Sequence, residues 1–167
     1  MNRSGLTRNS PQMAWMAIPL IRLGVGAVFL SEGIQKFLFP AVRGAGRFAE
    51  IGFMAPGVLS SVVGGFEIVC GVLILLGWYT RLAAIPTSVI MLVAILTTKL
   101  PILLGEAVGP FGAASFDSGG FWSMAHAMRT DYAMLLGSMF LIIAGAGPWS
   151  IDNAQQAKTP DQPAVSA

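Results

Sequence analysis

Four long runs of apolar residues dominate the sequence and restrict it to a protein that crosses a membrane. They cover about residues 14–39, 56–78, 81–104 and 131–147. Each run reaches the roughly 17–25 helical residues that span the hydrocarbon core of a bilayer. Only 11% of the residues are charged, whereas soluble domains carry about 25%, so the chain could not cover a globule with water-compatible surface. The sequence therefore predicts an all-α integral membrane protein, folded as an up-down four-helix bundle.

The segments around these runs indicate how the chain is organised. Residues 1–13 form a polar tail, residues 14–152 form the membrane domain, and the polar residues 153–167 are predicted to be disordered. Tyr79-Thr80-Arg81 is a very short connector, so the third span returns antiparallel beside the second. The aromatic-rich segment 105–130 is predicted to lie at the membrane interface. An even number of spans puts both termini on one side, and the few basic residues in that segment favour cytoplasmic termini.

The numbers of cysteine and histidine residues, the motifs that do not occur and the net charge exclude several classes of binding site. The chain has one cysteine, Cys70, and one histidine, His126, so it can form neither an intrachain disulfide nor a bis-histidine haem site. Zinc-protease, P-loop and EF-hand motifs do not occur in the sequence. A net charge of +2 with scattered bases gives no basic patch for nucleic acid. We therefore expect no metal site, no nucleic-acid partner and no cofactor held by this chain alone.

Charged residues inside the spans are the candidate functional groups. Glu67 lies near the middle of the second span, where a charge costs about 2.5–3.5 kcal/mol on insertion scales. Its helical face carries small residues, which lets a neighbouring helix approach, so Glu67 should face protein and not lipid. Arg22 on the first span is within reach of that depth, and we expect an Arg22–Glu67 pair. Glu32 and Lys36 are spaced i,i+4 in the favourable order for a second pair.

Three interpretations of these charges stay open at this point. An ion pair could fix only the register of the helices, without chemistry. The same groups could form a proton relay or a polar substrate site along the bundle axis. Glu67 could also stay protonated and act as a hydrogen-bond donor.

Short motifs in the spans are similar to those of one membrane-protein family. They are Ile21-Arg22-Leu23-Gly24, Phe29-Leu30-x-x-Gly33-x-x-Lys36, Gly64-Gly65-Phe66-Glu67-Ile68-Val69-x-Gly71, Leu76-Gly77-x-x-Thr80-Arg81-x-Ala83-Ala84, Met91-Leu92-Val93-Ala94, Asp131-Tyr132-x-x-Leu135-Leu136 and Gly145-x-Gly147-Pro148-Trp149-Ser150-Ile151-Asp152. With these motifs in order, the sequence resembles the DoxX family over about residues 18–152. The motif positions that we carry over are Gly33, Gly71, Arg81, Asp131 and Tyr132. The family's fourth helix often begins Glu-Tyr, and here the acid of Asp131-Tyr132 is shorter.

The resemblance implies a multi-pass protein of the bacterial inner membrane. The family takes its name from a small subunit associated with a quinol oxidase and thiosulfate:quinone oxidoreduction. It therefore implies an accessory subunit of a membrane-associated oxidoreductase complex, linked to quinone and sulfur chemistry or to oxidative stress. Such a subunit would not be catalytic on its own, and quinone would be bound through its membrane or soluble redox partners. Two alternatives remain, a small proton-coupled transporter and a non-catalytic membrane scaffold, and the sequence leaves substrate and oligomeric state open.

Overall fold

The computed structural model describes residues 11–111 and 120–157, and every regular element in these residues is helical. The elements are α1 (Pro11–Leu38), α2 (Ala45–Ile51), α3 (Pro56–Leu76), α4 (Thr80–Ala94), a π-helical segment (Ile95–Lys99), α5 (Leu100–Leu104), α6 (Phe121–Ala144) and α7 (Ile151–Gln156). Within the described residues, four stretches are long and apolar enough to cross a membrane, namely Trp15–Leu38, Pro56–Leu76, Thr80–Leu104 and Phe121–Ala144. This confirms the predicted all-α membrane fold.

Two boundaries differ from the expectation. The fourth spanning helix begins at Phe121, well before Asp131. The sequence placed the start of this helix at Asp131, because acidic residues are favoured in the first turn of a helix. In the structure Asp131 lies inside α6 and pairs with Lys99. The segment 105–130 is therefore helical in its last third, and residues 112–119 lie outside the described residues.

The C-terminal prediction also needs correction. Residues 153–156 belong to α7, whose first turn is capped by Ser150 Oγ accepting the N–H of Asn153 at 3.2 Å. Residues 158–167 of the predicted tail lie outside the described residues, as does most of the predicted N-terminal tail, residues 1–10.

Helices α1 and α3 pack with their backbones in contact. A Cβ built on Gly33 would lie 2.7 Å from the Gly64 carbonyl oxygen, and one on Gly71 would lie 2.9 Å from the Gly26 carbonyl oxygen. Gly26 and Gly33 are seven residues apart on α1, and so are Gly64 and Gly71 on α3. The two glycines of each helix therefore lie on one face, two turns apart. Small residues at such positions let membrane helices approach closely, and the predicted α1 and α3 faces do meet.

Helices α4 and α6 form the second closely packed pair of the bundle. Thr87 Oγ1 lies 3.1 Å from Ser138 Oγ, and both residues are fully buried between them. A side-chain hydrogen bond of this kind joins helices where apolar contacts with lipid and with protein are similar in strength. The central core contains Ile18, Val25, Phe29, Cys70, Ile74, Ala83, Ala84 and Leu141.

Candidate functional site

A cavity of about 600 Å³ lies inside the bundle, towards the end where α1 finishes and α3 begins. Its size falls within the range of roughly 300–1,000 Å³ that is typical of small-molecule sites. Apolar side chains form most of its wall, among them Val28, Phe29, Val63, Ile90, Met91 and Met134. The charged residues that line it are Glu32, Lys36, Arg43, Glu67 and Asp131. An apolar cavity with a few converging polar groups is the usual form of a ligand site.

Lys36 and Glu67 form an ion pair in this cavity. Lys36 Nζ lies 2.6 Å from Glu67 Oε2, and the two side chains are only 11% and 3% exposed. The carboxylate of Glu67 can reach Lys36 because side chains on a helix lean towards its N-terminus. The N-terminal end of α3 is the end that lies beside Lys36. The structure therefore gives Glu67 a cation, but a different one from the Arg22 expected from sequence.

Arg22 binds backbone carbonyl groups, so the predicted Arg22–Glu67 pair is wrong. Its Nε donates to Ile74 O at 3.0 Å, and its Nη2 donates to Leu75 O at 2.7 Å. Its Nη1 is shared among the carbonyl oxygens of Ala146, Pro148 and Trp149, at 3.1, 3.3 and 3.2 Å. The guanidinium thus donates to Leu75 O in the last turn of α3 and gives Ile74 O a second donor besides the Gly77 N–H. It also joins α3 to the segment after α6.

The glycine contacts explain why Arg22 and Glu67 do not meet. Gly33 opposite Gly64 and Gly26 opposite Gly71 set one antiparallel register, and this register places Arg22 beside the C-terminal end of α3. Glu67 lies about 10 Å further along the axis, at 1.5 Å per residue. Gly77 has φ +66°, and a Cβ there would lie 2.6 Å from Arg22 Cζ. Only glycine leaves room for the guanidinium at that turn.

Glu32 lines the same cavity and is half-buried. The predicted Glu32–Lys36 pair does not form, because the Lys36 ammonium is directed across to Glu67. Among the residues that the structure describes, Glu32 has no ion-pair partner within 4 Å. The cavity therefore contains a carboxylate that is free to accept hydrogen bonds from a ligand.

Asp131 brings a third carboxylate to the cavity and pairs with Lys99 at 3.2 Å. Lys99 is the last residue of the π-helical segment, which precedes Pro101. Proline has no N–H and its ring collides with the carbonyl four residues earlier, so the helix is distorted at this point. Segments of π-helix occur frequently at functional sites, and this one contributes Thr97 and Thr98 to the cavity wall.

Aromatic rings close the end of the cavity that lies beyond Lys36. Phe48 of α2 and Phe53 line it, with ring centroids 5.3 Å apart, and Phe111 packs edge-on against Phe53 at 5.2 Å. Gly52 between them has φ +102° and lies directly against the Pro110 carbonyl oxygen. Helix α2 and the contacts between these rings were not predicted from the sequence, although Phe48 and Ile51, three residues apart, are a short helical signal.

One side of the cavity lies at the seam where α1 and α6 pack against each other. The helices touch where a Cβ on Gly137 would lie 2.6 Å from Val25 Cγ2. Two turns further along α1, Glu32 lies opposite the region of Thr130 and Asp131, and the cavity occupies the space between them. Glu32 and Asp131 are half-buried and Thr130 is exposed, so the cavity reaches the outer surface of the bundle at this seam.

The remaining motif positions lie outside this cavity. Gly33 and Gly71 form the α1–α3 contact described above, and the Tyr132 side chain is exposed on the surface of α6. Arg81 lies at the opposite end of the bundle, beside Gly145. The predicted polar candidates thus separate into a cavity group of Glu32, Lys36, Glu67 and Asp131, and a structural group that includes Arg22.

Comparison with known protein families gives a match to the part of the chain that contains most of these residues. The family described as DoxX matches residues 17–100, which is half of the chain. The chain belongs to the DoxX family. The match includes both partners of the buried ion pair and the whole α1–α3 glycine contact.

Two relatives extend this assignment. A Mycobacterium tuberculosis protein named "Uncharacterized membrane protein Rv3486" is 52% identical over 132 residues, covering 79% of this chain and 77% of that protein. A Bacillus subtilis protein named "Putative oxidoreductase CatD" is 28% identical over 135 residues, covering 80% of this chain and 82% of that protein. No solved structure matches this DoxX protein.

Proposed function

We propose that this DoxX protein is an accessory subunit of a membrane oxidoreductase complex of the bacterial inner membrane, with both termini cytoplasmic. We also propose that its own cavity holds a quinone head group, whereas the sequence led us to expect quinone to be bound through partner subunits. The observation that carries the proposal is the cavity of about 600 Å³ with an apolar wall and a buried Lys36–Glu67 pair. The name of the B. subtilis relative as an oxidoreductase supports the same chemical class.

The polar groups fit both oxidation states of a quinone. Its carbonyl oxygens accept hydrogen bonds, and the Lys36 ammonium is a donor with three N–H groups. The hydroxyls of the reduced form donate, and the carboxylates of Glu32 and Glu67 accept. The aromatic and methionine-containing wall suits a flat apolar ring. A bound quinone would supply the two-electron chemistry, while the residues of this chain orient it and exchange protons with it.

The seam between α1 and α6 supports a hydrophobic ligand in particular. The cavity reaches the bundle surface between Glu32 and Thr130, which is a lipid-facing surface in a membrane-spanning bundle. An isoprenoid tail could therefore stay in the bilayer while the head group lies between the helices. The single cysteine and the single histidine are too few to bind a redox metal centre, so electrons would pass to or from partner subunits.

The test is a mild-detergent pull-down of the tagged protein from native membranes, with mass spectrometry, an absorption spectrum and extraction of bound quinone. We expect redox subunits and quinone in the eluate. Glu67→Gln should lower the quinone recovered per protein, while Glu50→Gln on the exposed end of α2 should not. A homomer without quinone, haem or redox partners would contradict the proposal.

A second candidate, a proton-coupled transporter, is favoured by the two acids that share one cavity. Glu32 and Glu67 lie in the same cavity and Glu32 has no ion-pair partner in the described chain, an arrangement that could exchange protons with a substrate. Reconstituted vesicles with an imposed pH gradient test it. Proton-coupled flux that is lost in Glu67→Gln would support transport, and flux unchanged by that substitution would remove it. A non-catalytic scaffold would show neither flux nor bound quinone.

A further inference from the structure

A second cavity, of about 680 Å³, lies at the opposite end of the bundle. It is formed where α4 begins and α6 ends, with α7 along one side. Its lining includes Trp15, Tyr79, Thr80, Arg81, Gly145 and Asn153. None of the residues of the first cavity takes part, so the two sites are separate.

Aromatic side chains show that this cavity lies at the membrane surface. Trp15 lies near the start of α1, Trp78 and Tyr79 lie in the turn between α3 and α4, and Trp149 lies in the segment after α6. All four are at this end of the bundle and are exposed. Tryptophan and tyrosine collect at the level of the lipid head groups, where one part of the ring system is apolar and another is polar. The neighbours of this cavity are therefore phospholipid head groups.

Arg81 is the unused charge of the cavity. Its side chain is exposed and lies against the end of α6, where a Cβ on Gly145 would be 3.1 Å from Arg81 Nε. Within residues 11–111 and 120–157, the side chain of Arg81 makes no hydrogen bond and no ion pair. A guanidinium has five N–H donors in a planar fork, and here they face a cavity instead of a protein acceptor.

The acid nearest to this site is already engaged. Asp152 also lines the cavity, but its Oδ1 accepts the Tyr79 N–H at 2.9 Å and its Oδ2 accepts the Thr80 N–H at 3.1 Å. It neutralises the positive end of the α4 dipole and leaves the charge of Arg81 uncompensated. The Thr80 hydroxyl, which is buried behind the cavity wall, also has no hydrogen-bond partner in the described chain.

We propose that this second cavity binds the phosphate of a membrane phospholipid through Arg81. The planar fork of arginine matches two phosphate oxygens at once, and the acid of the lining, Asp152, is turned towards two backbone N–H groups. The acyl chains would extend along the exposed apolar surface of α4, where Leu82 and Ile85 face outwards. The lipid would fill the gap between the beginning of α4 and the end of α6.

The test is native mass spectrometry and thermal unfolding of the purified full-length protein in detergent, with added phosphatidylglycerol. We expect the wild type to retain the lipid and to unfold at a higher temperature in its presence. Arg81→Gln should bind it about tenfold more weakly, the change expected when a hydrogen bond to a charged group is lost. The matched control is Arg47→Gln at the other membrane surface, which should bind the lipid like the wild type.

Other arms of the experiment identify the ligand. An uncharged galactolipid with the same acyl chains should show no difference between wild type and Arg81→Gln. Equal lipid retention by Arg81→Gln and wild type would overturn the proposal, and so would the same stabilisation by inorganic phosphate alone. If Arg81→Gln does not fold, Arg81→Lys replaces it, since it keeps the charge but loses the fork. Unchanged phosphatidylglycerol binding by Arg81→Lys would then overturn the arginine–phosphate contact.

Discussion

Lys36 and Glu67 form a buried ion pair, 2.6 Å from Nζ to Oε2, between the two helices whose backbones lie in direct contact. The pair and the glycines specify the same antiparallel alignment of α1 and α3 independently. A slip of one turn would separate the charges and also drive side chains into the opposite backbone. The glycine contacts and the ion pair therefore each determine the register of α1 against α3.

Removal of one partner of this pair should destabilise the protein strongly. Lys36→Met leaves the buried Glu67 carboxyl group without its cation in an apolar setting, with an expected loss of about 3–5 kcal/mol. The double variant Lys36→Met with Glu67→Leu should recover much of the loss, because no charge is stranded. Reversible unfolding in mixed detergent measures both. The exposed Arg47–Glu50 pair on α2 is the control, and its loss should cost about 0–1 kcal/mol. A Lys36→Met protein as stable as the wild type would contradict the structural role of the pair.

A methyl group at the α1–α3 contact should be poorly tolerated. In Gly71→Ala the added Cβ would lie 2.7 Å from the Leu30 amide nitrogen, which is backbone and cannot move aside. We expect a loss of about 1–3 kcal/mol, as in overpacked cores. Gly65→Ala on the same helix meets nothing within 4 Å and should be neutral or slightly stabilising. Equal unfolding free energies of the two variants would show that α1 and α3 are further apart than described.

Arg22→Lys should loosen the segment that follows α6, although the charge is kept. Lysine has three donors on one nitrogen, and it cannot reach five carbonyl oxygens on two different segments. Each buried carbonyl left without a partner costs about 1–3 kcal/mol. Hydrogen exchange of the amides in α7 should become faster. Arg129→Lys is the control, since Arg129 donates to one exposed carbonyl of its own helix, that of His126. Unchanged exchange in Arg22→Lys would mean that the segment is held by other contacts.

Asp152→Ala should weaken the start of α4. The carboxylate accepts the N–H groups of Tyr79 and Thr80, and the loss of a cap of this kind costs about 0.5–2 kcal/mol. Exchange of these two amides with solvent should rise, whereas it should stay unchanged in Gln156→Ala, which alters the same cavity without touching the cap. Protection of Tyr79 and Thr80 that survives Asp152→Ala would contradict the capping role.

The sequence was sufficient for the fold and for the helix faces, but not for the charge partners. Apolar length predicts the spans, and the small residues around Glu67 predict that its face meets another helix, because both signals are local. Partner choice depends on how far one helix is displaced along the other. That displacement is set by Gly26, Gly33, Gly64 and Gly71 together. As a result, Glu67 pairs with Lys36, and Arg22 donates hydrogen bonds to backbone carbonyl groups.

The start of α6 and the whole of α2 were not predicted correctly, and the reason differs from that for the charge partners. The first part of α6 contains polar residues such as Arg129 and Asp131, which lowers its hydropathy and hid its beginning at Phe121. Helix α2 is only seven residues long, too short for a periodic pattern to be distinguished from a loop. Both elements depend on tertiary contacts, with Lys99 in one case and with Phe53 and Phe111 in the other.

The bundle consists of two stiff halves. Backbone contact leaves α1 and α3 no freedom to slide over each other, and the buried Thr87–Ser138 bond holds α4 against α6. At one end the halves are joined by the tight turn at Gly77–Tyr79 and by the hydrogen bonds of Arg22 and Asp152 to either side of it. At the other end they meet through aromatic rings, where Phe53 packs against Phe111. The ion-paired cavity lies next to these rings, so its volume depends on how closely the two rings pack.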